Sequence, residues 1–242
     1  MDTEVKIRTA FPDTTSKTND ALGRPLHDLR ISLLDRCNFR CPYCHNVDLV
    51  LRPESLPDIT VGEVFRLLAE RQGFVDGVVI TGGEPTLQSD LADFVRKLKA
   101  LGLNVKLDTN GYRPRSIQLL LQDRLLDYVA MDVKGAPEKY PLVAGRRIEI
   151  ERIENSLQLI LASEIEYEFR TTAVPGMVTV QDVETIARSI AGARRYVIQQ
   201  FRSSSSTLSP QIAKMDPYPV TVLEEMADAA QRWVSDVSIR GI

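Results

Sequence analysis

The chain has 242 residues, 43 % hydrophobic and 26 % charged, a composition of a globular protein and not of a disordered, collagenous or disulfide-knotted one. Thirty Lys and Arg against 33 Asp and Glu leave a formal charge of −3, which speaks against a general nucleic-acid binder with a basic face. No apolar run approaches the roughly 18 residues of a spanning helix, and Met1–Lys6 lacks the basic-then-apolar start of a secretory signal, so a cytoplasmic protein without membrane or nucleic-acid partners is expected. All three cysteines fall between positions 37 and 44. Odd in number and in a reducing compartment, they predict ligand or redox chemistry in place of a disulfide framework.

In chain order, residues 1–25 are polar and without sustained periodicity, which predicts a mobile N-terminal extension before a single domain over 26–242. Short apolar or β-branched runs then recur at 29–34, 77–81, 104–109, 128–133, 167–174 and 195–201. Helical spacing lies between them. Thr60-Val61-Gly62-Glu63 and Thr221-Val222-Leu223-Glu224 spell capping boxes, Ser89 and Thr179 are candidate caps, and 151–162 carries an apolar stripe. Strands alternating with helices predict a parallel α/β sheet with right-handed crossovers. Six units are too few for a closed eightfold barrel, so a partial (β/α)6 TIM-like barrel with outer helices is the expected fold.

Directly after the first strand, Cys37-Asn38-Phe39-Arg40-Cys41-Pro42-Tyr43-Cys44 spells C-x3-C-x2-C. Such spacing lets one loop wrap a compact metal centre. A [4Fe–4S] cluster normally takes four thiolates. With three, one iron keeps an open position for a small molecule, as an open catalytic zinc does. The competing reading is a zinc-stabilised binding module with His45 or His27 as fourth ligand, although no second cysteine knuckle accompanies the first.

Further polar motifs follow the strands. Gly82-Gly83-Glu84-Pro85 ends the second; two glycines permit close backbone approach, and a carboxylate can accept from an ammonium group. Asp108-Thr109-Asn110-Gly111 ends the third and Asp132-Val133-Lys134 the fourth. Each acid could simply cap a turn or helix, yet Asp108, Thr109 and Asp132 could also form an oxygen cage for a monovalent or divalent cation. Arg170 lies in an apolar strand and must be paired, with a barrel acid such as Glu168 or with a ligand carboxylate. Gln199-Gln200-Phe201-Arg202 ends the sixth run, and the Ser-rich segment after it, through Pro219, is long enough for a lid. Since each motif lies at the C-terminal end of a predicted strand, all are expected on one face.

The cysteine loop, with an aromatic before its last cysteine, resembles the signature of radical S-adenosylmethionine (radical SAM) enzymes. That resemblance implies a [4Fe–4S] cluster on Cys37, Cys41 and Cys44, whose open iron chelates S-adenosylmethionine. Electron transfer to the sulfonium then leaves methionine and a 5′-deoxyadenosyl radical. It places Tyr43 near the adenine, the Gly82–Pro85 segment at the methionyl amine, and Arg170 at the carboxylate or ribose. Cys44-His45-Asn46, Thr81–Pro85, Leu107–Gly111, Tyr128–Lys134, Phe169–Gly176 and Ile239–Ile242 are similar to the activating proteins of anaerobic ribonucleoside-triphosphate reductase and, next, to formate-lyase-type activases. This implies cofactor contacts at Asn46, Asp108, Thr109, Asn110 and Asp132, with Lys134 beside the cysteines among the catalytic groups. It also implies a glycyl-radical enzyme as protein substrate and a flavodoxin or ferredoxin as electron donor. Gly23–Ser32 with Asp35-Arg36-Cys37 is instead similar to the GTP-rearranging enzyme of molybdenum-cofactor synthesis, but this chain lacks that family's second cysteine triad. A small-molecule radical SAM synthase, of the deazaguanine kind, is the alternative enzyme.

Overall fold

The computed structural model describes residues 27–33, 36–47, 59–203 and 207–242. The expected N-terminal extension lies outside the described residues. Seven parallel strands form one sheet in sequential order: β1 (Asp28–Ser32), β2 (Gly77–Thr81), β3 (Asn104–Thr109), β4 (Tyr128–Asp132), β5 (Glu166–Ala173), β6 (Tyr196–Gln200) and β7 (Val237–Arg240). The described helices are α1 (Val61–Glu70), α2 (Leu91–Ala100), α3 (Pro114–Gln122), α4 (Tyr140–Ala144), α5 (Ile150–Leu161), α6 (Val180–Ser189) and α7 (Val220–Gln231). The expected partial barrel is what forms, with a seventh strand beyond the six units. β1 and β7 are the two edges, and among the described residues no pairing joins them.

Alternation along each strand sorts the side chains between two faces. Leu29, Ile31, Val78, Ile80, Val105, Leu107, Val129, Met131, Tyr167, Phe169 and Ile198 are buried in one cluster with the helix residues Val64, Leu68, Phe94, Leu98, Ile117, Leu157, Ile186 and Leu223. The opposite, inner face carries most of the charge. Register aligns Asp108 with Ala130 and Glu168, Asp132 with Arg170 and Val197, and Thr172 with Gln199 and Arg240. Partners in a parallel ladder share a face, so these polar groups meet across the hollow of the barrel.

Local signals explain most ends. Thr60 and Glu63 form the predicted capping box, and Thr179 forms another with Asp182. Two expectations are corrected. Ser89 does not cap α2, since Asp90 occupies that place without a side-chain bond. Nor do Thr221 and Glu224 form a box, because α7 begins at Val220 after Pro219 and puts Thr221 inside the first turn.

Candidate functional site

A cavity of about 440 Å³ opens at the C-terminal ends of the strands. Its wall includes Cys37, Cys41, Tyr43, Cys44, Asn46, Gly82, Gly83, Glu84, Asp108, Thr109, Asn110, Asp132, Lys134 and Arg170, so the sequence-predicted residues converge here, with Pro85 alone left out. Pro85 is buried and starts a short 3-10 turn, where its fixed φ and missing N–H suit the first position. The far wall adds His45, Thr172, Gln199, Gln200, Arg202, Arg240 and Gly241. Of these, Gln199 and Gln200 end β6 and Arg202 follows it, while Arg240 ends β7 and Gly241 follows. A strand of four residues, too short for a visible apolar period, is what kept Arg240 from being assigned a position by sequence alone.

The cysteine loop is held from three sides. The Glu84 N–H donates to the Arg36 carbonyl at 2.9 Å, and Gly83 packs so closely on that carbonyl that a Cβ would collide with it. The Arg40 N–H donates to the Ala144 carbonyl at 2.8 Å, and the Ser209 N–H to the Pro42 carbonyl at 2.9 Å. Gly83 therefore serves the approach of the cysteine loop. The described part of the Ser-rich segment docks on the same loop.

Glu84 is buried and receives four donors: the Thr86 N–H (3.1 Å) and hydroxyl (2.5 Å) and the Thr109 hydroxyl (2.7 Å) on Oε1, and the Asn110 N–H (2.7 Å) on Oε2. Burial pushes its pKa up, and those donors offset only part of that rise. The carboxylate expected to meet an ammonium group is engaged within the protein and still lines the cavity, with one donor on Oε2. It ties the end of β2 to the end of β3.

The acids expected of an oxygen cage form ion pairs within the protein. Arg170 donates through Nε to Asp132 (2.7 Å) and through Nη1 to Asp108 (3.3 Å), while Arg30 reaches Asp108 at 2.9 Å and Lys134 reaches Asp132 at 2.9 Å. Thr109 is turned to Glu84. Guanidinium and ammonium groups thus bind both carboxylates. Arg170 approaches Glu168 only at 3.8 Å; Glu168 is gripped by Arg240 at 3.0 and 3.3 Å. Burial alone would raise the Asp132 pKa, but Arg170 and Lys134 outweigh it and hold the carboxyl at about 2. Lys134 stays protonated: burial opposes its charge, and Asp132 overcomes that. Its Nζ stands 5.9 Å from the centre of the Tyr43 ring.

All three cysteines are free thiols. Burial pushes Cys37 up to about 12 and raises Cys41 as well, so metal binding must displace protons and grow stronger with pH. His27 precedes β1, at the opposite end of the barrel, bonded to the Phe74 carbonyl. Three soft donors spread over one wall suit a multi-iron cluster better than a lone ion. Two buried polar atoms of cavity-lining residues, the hydroxyl oxygen of Tyr43 and Oε1 of Gln200, have no partner among the described residues. Leaving such groups unpaired costs about 1–3 kcal/mol each, so a polar occupant would satisfy them.

The comparisons agree with this geometry. A family model described as the radical SAM superfamily matches residues 31–190. A protein of Methanocaldococcus jannaschii named "Putative glycyl-radical enzyme activating enzyme" is 36 % identical over 211 residues, covering 85 % of this chain and 86 % of its own. A Thermococcus kodakarensis protein named "Probable GTP 3′,8-cyclase" is 34 % identical over 129 residues, covering 52 % of this chain and 41 % of its own. In fold, the chain is similar to the crystal structure of Streptococcus suis SuiB bound to S-adenosylmethionine, with a TM-score of 0.68, 13 % identity, and coverage of 88 % of this chain and 50 % of SuiB. With its cysteine loop, its open parallel barrel and a family match over most of its length, the chain belongs to the radical SAM superfamily.

Proposed function

We propose that this radical SAM enzyme is a glycyl-radical enzyme activase, which removes a hydrogen atom from a glycine Cα of a partner protein. The observation that carries this reading is similarity to the archaeal activating enzyme along nearly the whole of both chains. Likeness to the GTP cyclases stops at about half of this chain, which holds no cysteine beyond Cys44.

In this reading Cys37, Cys41 and Cys44 give three thiolates to a [4Fe–4S] cluster. The cluster, when bound, supplies an electron that splits the sulfonium of S-adenosylmethionine into methionine and a 5′-deoxyadenosyl radical. The chain's own groups do the rest. Lys134, one donor committed to Asp132, offers its remaining N–H bonds to a ligand carboxylate. Arg170, clamped by Asp132 and Asp108, presents a fixed cationic edge to the same ligand. Asn46 donates to the Gly82 carbonyl at 3.2 Å and ties the cysteine loop to β2. Tyr43 is 6 % exposed and gives a flat apolar wall suited to a nucleobase. Gln199, Arg202 and Arg240 line the side left for the protein substrate, and a flavodoxin or ferredoxin delivers the electron.

Anaerobic reconstitution with iron and sulfide, followed by dithionite and S-adenosylmethionine, tests the class. Four irons per chain and release of 5′-deoxyadenosine are expected; colourless protein with one zinc overturns the reading. Adding a candidate glycyl-radical enzyme should produce a glycyl doublet in its EPR spectrum. Turnover of a small molecule without any protein substrate would favour a synthase.

A further inference from the structure

The side chain of Asn110 is fixed in direction by its surroundings. Its backbone N–H is held by Glu84 at 2.7 Å, and its Oδ1 accepts the Tyr112 N–H at 3.0 Å. The amide can then point only its Nδ2 hydrogens toward the cysteine loop. One goes to Oδ1 of Asn38 at 2.8 Å; the other faces Sγ of Cys37 at 3.9 Å, the outer reach of an N–H···S contact. The Phe39 N–H also points at this sulfur, at 3.4 Å. As a thiol, Cys37 gives its own hydrogen to Asn38 Oδ1 at 4.0 Å. As a metal thiolate it has only lone pairs, and the amide hydrogen of Asn110 becomes its side-chain donor.

From this we infer that Asn110 is a positioning residue that acts through Cys37, donating to its thiolate and setting the reduction potential of the bound cluster. Hydrogen bonds to ligand sulfurs stabilise the reduced, more negative cluster and raise its potential. The Phe39 and Asn110 donors therefore polarise the corner at Cys37. Asn38 belongs to the same device. Its Oδ1 is bound to Asn110, which prevents the amide from flipping and leaves Nδ2 buried without a protein partner.

This inference rests on the three-cysteine cluster proposed above, and its test separates the two. Wild-type protein that assembles no four-iron cluster would sink both. With the cluster present, the midpoint potentials of wild type, Asn110→Ala and Asn110→Ser are compared by spectroelectrochemical titration at equal iron content. The serine variant keeps an acceptor for the Tyr112 N–H while losing the amide. A more negative midpoint in the variants is expected; an unchanged midpoint with four irons retained overturns the role of Asn110. Should both variants lose the fold or the cluster, pulsed EPR of reduced wild type grown with asparagine labelled with 15N at the side-chain amide decides. A hyperfine-coupled amide nitrogen is expected, and its absence refutes the contact.

Discussion

At Glu84 one buried carboxylate answers four donors on three residues, and the cost of spoiling that match is calculable. Glu84→Gln puts an NH2 group where donors already point, leaving at least one buried donor unmatched. A loss of about 1–3 kcal/mol in denaturant unfolding is expected, together with weaker iron incorporation as β2 and β3 come apart. Asp132 governs acid stability. Its pKa is depressed from 3.8 to about 2, so the folded state favours the ionised form. That stability is present above about pH 4 and is lost as pH falls toward 2, and at neutral pH it is on the order of 2 kcal/mol. Asp132→Asn should therefore lower stability at pH 7 by that order and flatten the acid limb of the pH profile; a profile of unchanged steepness would assign acid unfolding to other groups. Cys41→Ser should abolish cluster assembly with the apo fold retained by circular dichroism, because the loop sits on the rim of the barrel.

Among the elements, the turn after α4 matters more than its length suggests. Gly145 has φ +68 and lies against the Arg40 carbonyl, so a Cβ there is both strained and in collision with the cysteine loop. Gly145→Ala is expected to reduce iron uptake more than it reduces the melting temperature; the reverse ranking would show that the contact serves stability alone. At α6, Thr179→Ala removes a cap that accepts from the Asp182 N–H, and Lys139 braces the same Asp182 at 2.6 Å. A loss of about 1 kcal/mol is expected, seen as a drop of about 2–4 °C in melting temperature. α4, five residues long, is too short to show a period, whereas α3 carries a buried face of Ile117 and Leu120 that its sequence does present. The boundaries of β2 and β3 were legible because Gly, Asn and Thr punctuate an apolar run in β2 and an alternating one in β3.

For the whole molecule, an open sheet with β1 and β7 at its edges predicts a gradient of stability. Amides of β3, β4 and β5 should exchange most slowly with deuterium, and those of β1 and β7 first, since edge strands have a ladder on one side only. Uniform protection across all seven would mean that the edges are covered in solution. The class of chemistry was readable from residues alone: three thiols in one loop, and polar motifs where each apolar run stops, converge whatever the details of packing, because parallel βα units bring strand ends to a single rim. The partners of the charged groups were not readable. Whether Asp108 and Asp132 receive a metal or a guanidinium depends on strand register, which sets Arg170 beside Asp132 across the ladder and Asp108 within its reach. Whether Glu84 meets a ligand or a neighbouring hydroxyl depends on how far two loops stand apart. Local sequence determines which groups arrive at the rim; distances across the barrel, set only when helices pack on its outer face, decide which of them find one another.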